Sequence, residues 1–128
     1  MFLTVLQVAA GGAIGASLRY LSGVGLARIF GTGLPIPLGV IFVNILGSFL
    51  MGCVVVILGA KSWGHFNPFL ATGILGGFTT FSSFSLEAFT LWERGEPALA
   101  ALYVGINVVV SLAAIVIGTY AMRALVAV

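Results

Sequence analysis

The sequence has 128 residues, of which 61% are hydrophobic and only 6% are charged, and its mean hydropathy is +1.26. Because about a quarter of the residues of a soluble domain are charged, this composition excludes a soluble globular protein. It predicts a single membrane-embedded domain over residues 1–128. The net charge of +2 is small and scattered along the chain, so no nucleic-acid partner is expected.

The chain contains apolar stretches that approach or exceed the roughly 20 residues a helix needs to cross a bilayer. The predicted spans are residues 2–23, 39–59, 67–92 and 98–124. Between the first two spans, residues 25–38 include Pro35 and Pro37 and are predicted to form an irregular connector. The expected fold is therefore an all-α membrane protein of four transmembrane helices.

The first span has a face of small residues, including Gly11 and Gly15, whose spacing favours close approach of another helix. Arg19 follows near the end of this span. Its side chain could extend to the lipid headgroups, as long cationic side chains commonly do. Alternatively, it could face a watery vestibule and attract anions.

Polar side chains also occur in the second and fourth spans. Asn44 is the one strongly polar residue of the second span; its amide could hydrogen-bond another helix or donate N–H groups to a passing anion. Tyr103, Asn107 and Ser111 recur every four residues in the fourth span and therefore lie on one helical face. Such a stripe must face protein or water.

The third span carries the most informative stretch, in which Gly76 and Gly77 are followed by hydroxyl side chains interleaved with phenylalanines. Polar or broken backbone survives in hydrocarbon only where protein or a watery cavity covers it. Phe81 and Phe84 share a helical face, as do Ser82 and Ser85. We predict a helix broken near residues 76–80 that borders a path for a small solute.

A packing seam is the alternative interpretation, since Gly73-x-x-x-Gly77 is a small-x-x-x-small pattern and Ser and Thr often join membrane helices. It explains the glycines well and the density of hydroxyl groups poorly. Glu87 follows one turn beyond the polar run. It could be a buried functional carboxylate or an acid near a helix end that reaches water.

Basic residues are almost evenly divided between the two predicted sides of the membrane. Lys61 and Arg123 fall on one side, and Arg28 and Arg94 fall on the other, with Arg19 near them. Because an asymmetry in such counts orients membrane proteins, this chain is expected to insert in both orientations. We therefore predict an antiparallel, dual-topology homodimer.

Together these motifs resemble the Fluc (CrcB) family of fluoride channels over nearly the whole chain. The most specific match is the run from Gly76 to Ser85 with Glu87 beyond it. Supporting matches are Gly15-Ala16-x-x-Arg19, Val43-Asn44-x-x-Gly47 and Glu93-Arg94-Gly95. The resemblance implies a passive fluoride-selective channel that exports fluoride across the bacterial cytoplasmic (inner) membrane, with two pores in each antiparallel dimer.

The resemblance also implies roles for individual residues. Phe81 and Phe84 would line the pores, Asn44 would supply an anion-contacting amide, and Arg19 would lie in the vestibule. Donors along the path would include Ser82, Ser85, Tyr103, Asn107 and Ser111, with Thr80 and Glu87 as further polar groups. The backbone carbonyls of Gly76 and Thr79 from both subunits would hold a structural sodium ion at the dimer interface.

Two other functions remain open from the residues alone. A small dual-topology multidrug exporter would need a titratable carboxylate deep in the membrane, whereas Glu87 lies toward a helix end. A structural membrane subunit would use its polar residues only for packing. We do not expect an enzyme, because the sequence offers no nucleophile–base pair or cluster of His, Cys and Asp.

Overall fold

A computed structural model describes residues 1–127 and shows an all-helical chain. The helices are α1 (Phe2–Phe30), α2 (Leu38–Ala60), α3 (residues 68–78), α4 (Ser82–Glu93) and α5 (Pro97–Val126). A short 3₁₀ turn, Gly64–Phe66, precedes α3. Within the described residues, four helical stretches are long and apolar enough to cross a membrane, and the third, Gly64–Glu93, contains the 3₁₀ turn, α3 and α4. The predicted all-α class with four potential spans is confirmed.

The first helix is longer than predicted, because α1 continues past Gly23 and Gly25 to Phe30. It ends at Gly31, whose φ of 79° is one that glycine adopts easily, and whose N–H donates to the carbonyl of Ala27 over 2.9 Å. The predicted connector over residues 25–38 was therefore wrong in its first part. Isolated glycines lower helix stability by only about 1 kcal/mol each, which the surrounding apolar residues overcome.

Two helices contain wide turns that the sequence did not reveal. The first eight residues of α3, Pro68–Leu75, are π-helical, and so is Ile106–Val110 in the middle of α5. Such π segments are rare and are frequently found at functional sites. The one in α5 contains Asn107, which belongs to the polar stripe predicted for the fourth span.

Glycines bring α1 and α3 into close contact. Gly11 and Gly15 are buried, and a β carbon at Gly11 would lie 2.9 Å from the Cα of Gly73. A β carbon at Gly77 would lie 2.8 Å from the carbonyl oxygen of Gly12. The packing-seam interpretation of the Gly73-x-x-x-Gly77 pattern thus holds for the glycines, and the hydroxyl groups lie elsewhere.

A second close contact joins α2 to the C-terminal half of α5. A β carbon at Gly52 would lie 2.8 Å from the amide nitrogen of Thr119, and one at Gly118 would lie 3.0 Å from the carbonyl carbon of Phe49. Cys53 is buried here, and its thiol donates to the carbonyl of Gly118 over 3.5 Å. This contact holds the polar residues of α2 opposite those of α5.

Candidate anion pathway

The third span is interrupted between α3 and α4. Thr79 has an extended backbone (φ −83°, ψ 161°), and helical structure resumes at Ser82. Gly76 and Gly77 are helical, so the prediction of a break near residues 76–80 was wrong for the glycines, and the interruption covers residues 79–81. Gly77 is needed for the approach of α1, and side chains rather than glycines account for the break.

Asn44 holds the interrupted segment in place. Its Oδ1 accepts the Thr80 N–H over 2.9 Å, and its Nδ2 lies 3.1 Å from the Thr80 carbonyl oxygen. Nδ2 also lies 3.1 Å from Oδ1 of Asn107 on α5. The interhelical alternative for Asn44 is therefore observed. Since both amide hydrogens have protein acceptors, an anion would contact this amide only by exchanging with one of them, and that role stays a prediction.

Thr80 caps the first turn of α4. Its hydroxyl oxygen accepts the Ser83 N–H over 3.2 Å and lies 3.4 Å from the Ser82 hydroxyl. A hydroxyl that accepts an otherwise unpaired N–H at a helix start is a common N-terminal cap. Thr80 is 9% exposed, so this polar contact lies inside the protein. Its role as a cap was not predicted, although a threonine just before the resumed helix is a recognisable signal.

These contacts free two backbone carbonyls. In a continuous α-helix the Thr80 N–H would bond the carbonyl of Gly76, and the Ser83 N–H would bond that of Thr79. Both N–H groups instead donate to side chains, namely Asn44 and Thr80. Gly76 and Thr79 are the positions predicted to hold sodium. Carbonyl oxygens are ligands that a hard cation prefers, so the residues present fit such an ion.

An open cavity of about 350 Å³ lies beside the interruption. It is bordered by α2, the interrupted segment, α4 and α5, and it brings together most of the predicted pore residues. Those predicted residues that line it are Asn44, Thr79, Thr80, Phe81, Phe84, Asn107 and Ser111. We call this space the phenylalanine cavity. A polar and aromatic lining of this kind, at the level of a broken membrane helix, suits the passage of a small solute.

The two phenylalanines differ in their surroundings. Their ring centroids are 5.2 Å apart, but Phe81 is 77% exposed, whereas Phe84 is 8% exposed and stacks on Tyr103 with a centroid distance of 5.8 Å. Phe81 is therefore the exposed edge of the cavity, and Phe84 is its buried wall. Tyr103 itself is fully buried, and its hydroxyl donates to the Glu87 carboxylate.

Several predicted residues do not line the phenylalanine cavity. Ser82 and Ser85 lie on the exposed side of α4, and the Ser85 hydroxyl donates to the carbonyl of Phe81 over 2.9 Å. The lining residues that sequence reasoning did not assign to the site include Ser48 and Met51. The spacing of Ser48, one helical turn after Asn44, was the available signal for the first of them.

A second cavity, of about 400 Å³, lies on the other side of Thr80. Arg19, Ser83 and Glu87 also line it, so an arginine and a carboxylate face the same space. Arg19 does not simply extend to the headgroups, because its Nε–H donates to the carbonyl of Gly77 over 3.1 Å. Glu87 is half-buried beside Tyr103, and this differs from an acid that reaches water at a helix end.

Ser111 has the one buried side-chain oxygen without a hydrogen-bond partner among residues 1–127. It lines the phenylalanine cavity. A buried hydroxyl left unpaired costs about 1–3 kcal/mol, so such a group is usually explained by a ligand or by function. Its hydrogen is available to an anion that enters this space.

We expect Ser111→Ala to lower anion flux while leaving stability unchanged, or raised by up to about 1 kcal/mol. The reason is that alanine removes an unpaired donor rather than a satisfied one. Flux into liposomes and thermal unfolding in detergent would be compared with Ser17→Ala, whose hydroxyl donates to the carbonyl of Ala13 on exposed α1. A stability loss in Ser111→Ala at normal flux would contradict this assignment.

The comparison with known proteins decides the family. The family described as "CrcB-like protein, Camphor Resistance (CrcB)" matches residues 6–119. The chain belongs to the CrcB family. It is 58% identical over 124 residues to a protein of Ruegeria sp. (strain TM1040) named "Fluoride-specific ion channel FluC", covering 96% of this chain and 97% of the relative.

Other CrcB relatives carry the same name. A protein of Cereibacter sphaeroides (strain ATCC 17029 / ATH 2.4.9) is 55% identical over 123 residues, covering 96% of this chain and 97% of the relative. One from Agrobacterium fabrum is 47% identical over 118 residues, covering 91% and 93%. The predicted membership of the Fluc (CrcB) family, a family of ion channels rather than enzymes, is thereby confirmed.

Proposed function

We propose that this chain forms a passive, fluoride-selective channel that exports fluoride across the bacterial cytoplasmic membrane and so relieves fluoride toxicity. The observation that carries this proposal is the 58% identity, over nearly the full length of both chains, to a protein named as a fluoride-specific ion channel. The phenylalanine cavity beside the interrupted third span supports it, because a channel needs a polar or aromatic route through the bilayer.

Fluoride is small and strongly hydrated, so its path must replace water with closely spaced donors. Ser111 offers a free hydroxyl, and the ring edges of Phe81 and Phe84 carry the positive part of the aromatic quadrupole. Ring edges attract an anion more weakly than a charged group does. The site is then favourable enough for entry and weak enough for exit, as conduction requires.

The cavity that contains Arg19 is the proposed vestibule. One N–H of its guanidinium is bound to Gly77, and the other N–H groups of this five-donor side chain can attract an anion. Thr80 borders both cavities. We propose that fluoride passes from Arg19, past the interrupted segment, to the phenylalanines.

A second, antiparallel copy would complete the pathway. In the single chain Phe81 is 77% exposed, and Gly76, near the end of α3, is also exposed, so the surface beside the interruption is uncovered. Broken backbone in hydrocarbon must be covered by protein or water. We propose an antiparallel homodimer in which each phenylalanine cavity is closed by the partner, and this gives two pores per dimer.

The dual topology gives a direct prediction. Reporters fused after the C-terminus, one active only in the cytoplasm and one active only outside it, should both show activity, because the basic residues give little orientational bias. Variants with three added lysines in the loop between α2 and α3 should become one-sided and lose channel activity when expressed alone. Activity of the unmodified fusion on one side only would contradict dual insertion.

The interrupted segments of the two copies would also meet at the dimer axis. We propose that the carbonyls of Gly76 and Thr79 from both copies hold a structural sodium ion there. Among residues 1–127, no cluster of three His, Cys, Asp or Glu side chains offers another cation site. The ion would hold the two interrupted helices together by neutralising the partial negative charge of their carbonyls.

Efflux from liposomes tests the proposed function. Purified protein should release trapped potassium fluoride when valinomycin allows potassium to follow, with no proton gradient and no saturation. A multidrug exporter would need a proton gradient and an organic substrate, and a structural subunit would release nothing. Fluoride release that depends on a proton gradient, or no release at all, would overturn the proposal.

A further inference from the structure

The carbonyls near the interruption fall into two groups. Four of them accept hydrogen bonds, namely those of Leu75, Gly77, Thr80 and Phe81. Within residues 1–127, the carbonyls of Gly76, Phe78 and Thr79 receive none from side chains or from the backbone beyond α3. The Gly76 and Thr79 carbonyls are free because side chains accept the N–H groups that would otherwise reach them. The Phe78 carbonyl is free because α3 ends at this residue.

Two side chains keep the Gly76 and Thr79 carbonyls free of hydrogen bonds. The Thr80 N–H lies 2.9 Å from Oδ1 of Asn44, and the Ser83 N–H lies 3.2 Å from Oγ1 of Thr80. Each of these acceptors takes an N–H that would occupy a carbonyl in an unbroken helix. Both acceptor side chains are shielded from the surroundings, since Thr80 is 9% exposed and Asn44 is partly buried.

We propose that the Asn44 amide and the Thr80 hydroxyl are positioning residues that keep the Gly76 and Thr79 carbonyls free to bind a cation. This inference rests on the sodium site of the proposed function. It assigns Asn44 and Thr80 a role toward the cation in addition to any contact with the anion. Neither side chain touches the ion, and each acts through the N–H group that it accepts.

The Thr80 hydroxyl offers the cleaner test, because valine has nearly the same shape and no acceptor. In Thr80→Val the Ser83 N–H loses its partner, and the backbone is drawn toward the continuous-helix pattern, in which the Thr79 carbonyl accepts that N–H. The carbonyl would then have to break a hydrogen bond to bind sodium. Thr80→Ser keeps the acceptor and is the matched control.

The measurement is the sodium dependence of thermal unfolding of the full-length protein in detergent, with N-methylglucamine replacing sodium at constant ionic strength. Wild type should gain stability with sodium along a saturating curve. Thr80→Val should need roughly five to ten times more sodium for half of this gain, which is the effect of one competing hydrogen bond of ordinary strength. Thr80→Ser should follow wild type. Asn44→Leu should also shift the curve.

The midpoint of the sodium curve separates this role from simple packing. A merely structural loss would lower the unfolding temperature equally at every sodium concentration and leave the midpoint of the sodium curve unchanged. That result in Thr80→Val would overturn this inference but would not contradict the sodium site. Absence of any sodium effect in wild type would overturn the sodium site and this inference together. If Asn44→Leu does not fold, the Thr80 pair still decides the question.

Discussion

Phe81→Ile and Phe84→Ile should each reduce fluoride flux by roughly tenfold to a hundredfold, the range expected if a ring contact worth about 1.4–2.7 kcal/mol to the passing ion is lost. Isoleucine is apolar and fills similar space, but it has no ring edge to face an anion. Phe81 is 77% exposed in the single chain, so its replacement should not disturb folding. Flux would be measured as fluoride efflux from liposomes at matched protein density.

The control for this experiment is Phe89→Ile. Phe89 lies on α4, as Phe84 does, and is 60% exposed, but it does not line the phenylalanine cavity. Its replacement should leave flux unchanged. Phe84 stacks on Tyr103, so size-exclusion profiles of the Phe84 variant would be needed to show that the protein remains folded. Wild-type flux in the double variant Phe81→Ile/Phe84→Ile would refute the assignment of these rings to the pore.

Gly15→Ala should prevent stable folding. A β carbon at this position would lie 2.9 Å from both the carbonyl carbon of Ile74 and the amide nitrogen of Phe78, which are backbone atoms that cannot turn aside. Overpacking typically costs about 1–3 kcal/mol and sometimes more, and here the alternative is to separate α1 from α3. We expect the apparent unfolding temperature in detergent to fall by about 10 °C or more.

Gly12→Ala is the matched control for this substitution. The residue lies on the same helix, and among residues 1–127 a β carbon there would meet no atom of another helix within 4 Å. Because alanine also favours helix more than glycine does, by up to about 1 kcal/mol, its unfolding temperature should stay level or rise. Equal stability of the Gly15 and Gly12 variants would contradict the close approach of α1 and α3.

The membrane spans could be predicted because hydropathy depends on composition over a long window. Their ends depend on local backbone conformation, and this is why the end of α1 was misplaced. The first span was predicted to end at residue 23 and the connector to begin at residue 25, but the helix ends at Gly31, where a positive φ is adopted. A glycine in the sequence shows that such a conformation is allowed and does not show that it is used.

The interruption was predicted for the right span, but the predicted range of 76–80 wrongly included Gly76 and Gly77, whereas the observed one covers residues 79–81. The glycines attracted attention because they are unusual, yet both are helical, and Gly77 packs against α1. The break itself depends on Asn44 and Thr80, which are 36 residues apart in the sequence. A pattern confined to one span cannot reveal a hydrogen-bond partner on another, so this contact required the structure.

The candidate site was partly predictable for a similar reason. The spacing of Tyr103, Asn107 and Ser111 correctly placed them on related faces of α5, but spacing does not specify which neighbour each residue meets. Asn107 and Ser111 border the phenylalanine cavity, whereas Tyr103 is fully buried against Glu87 and Phe84. The aromatic pair was found because Phe81 and Phe84 are three residues apart in the sequence, so one local pattern contains both.

Simultaneous recording of fluoride and chloride efflux tests the central claim most directly. Liposomes would contain the purified wild-type protein and equal concentrations of potassium fluoride and potassium chloride. Valinomycin would be added to let potassium leave with the anions, and ion-selective electrodes would record the release of fluoride and chloride. If closely spaced donors and ring edges replace the hydration water of a small halide and let it cross, fluoride should leave rapidly while chloride stays inside the liposomes. Equal release of the two anions, or retention of both, would contradict a selective path along the interrupted third span.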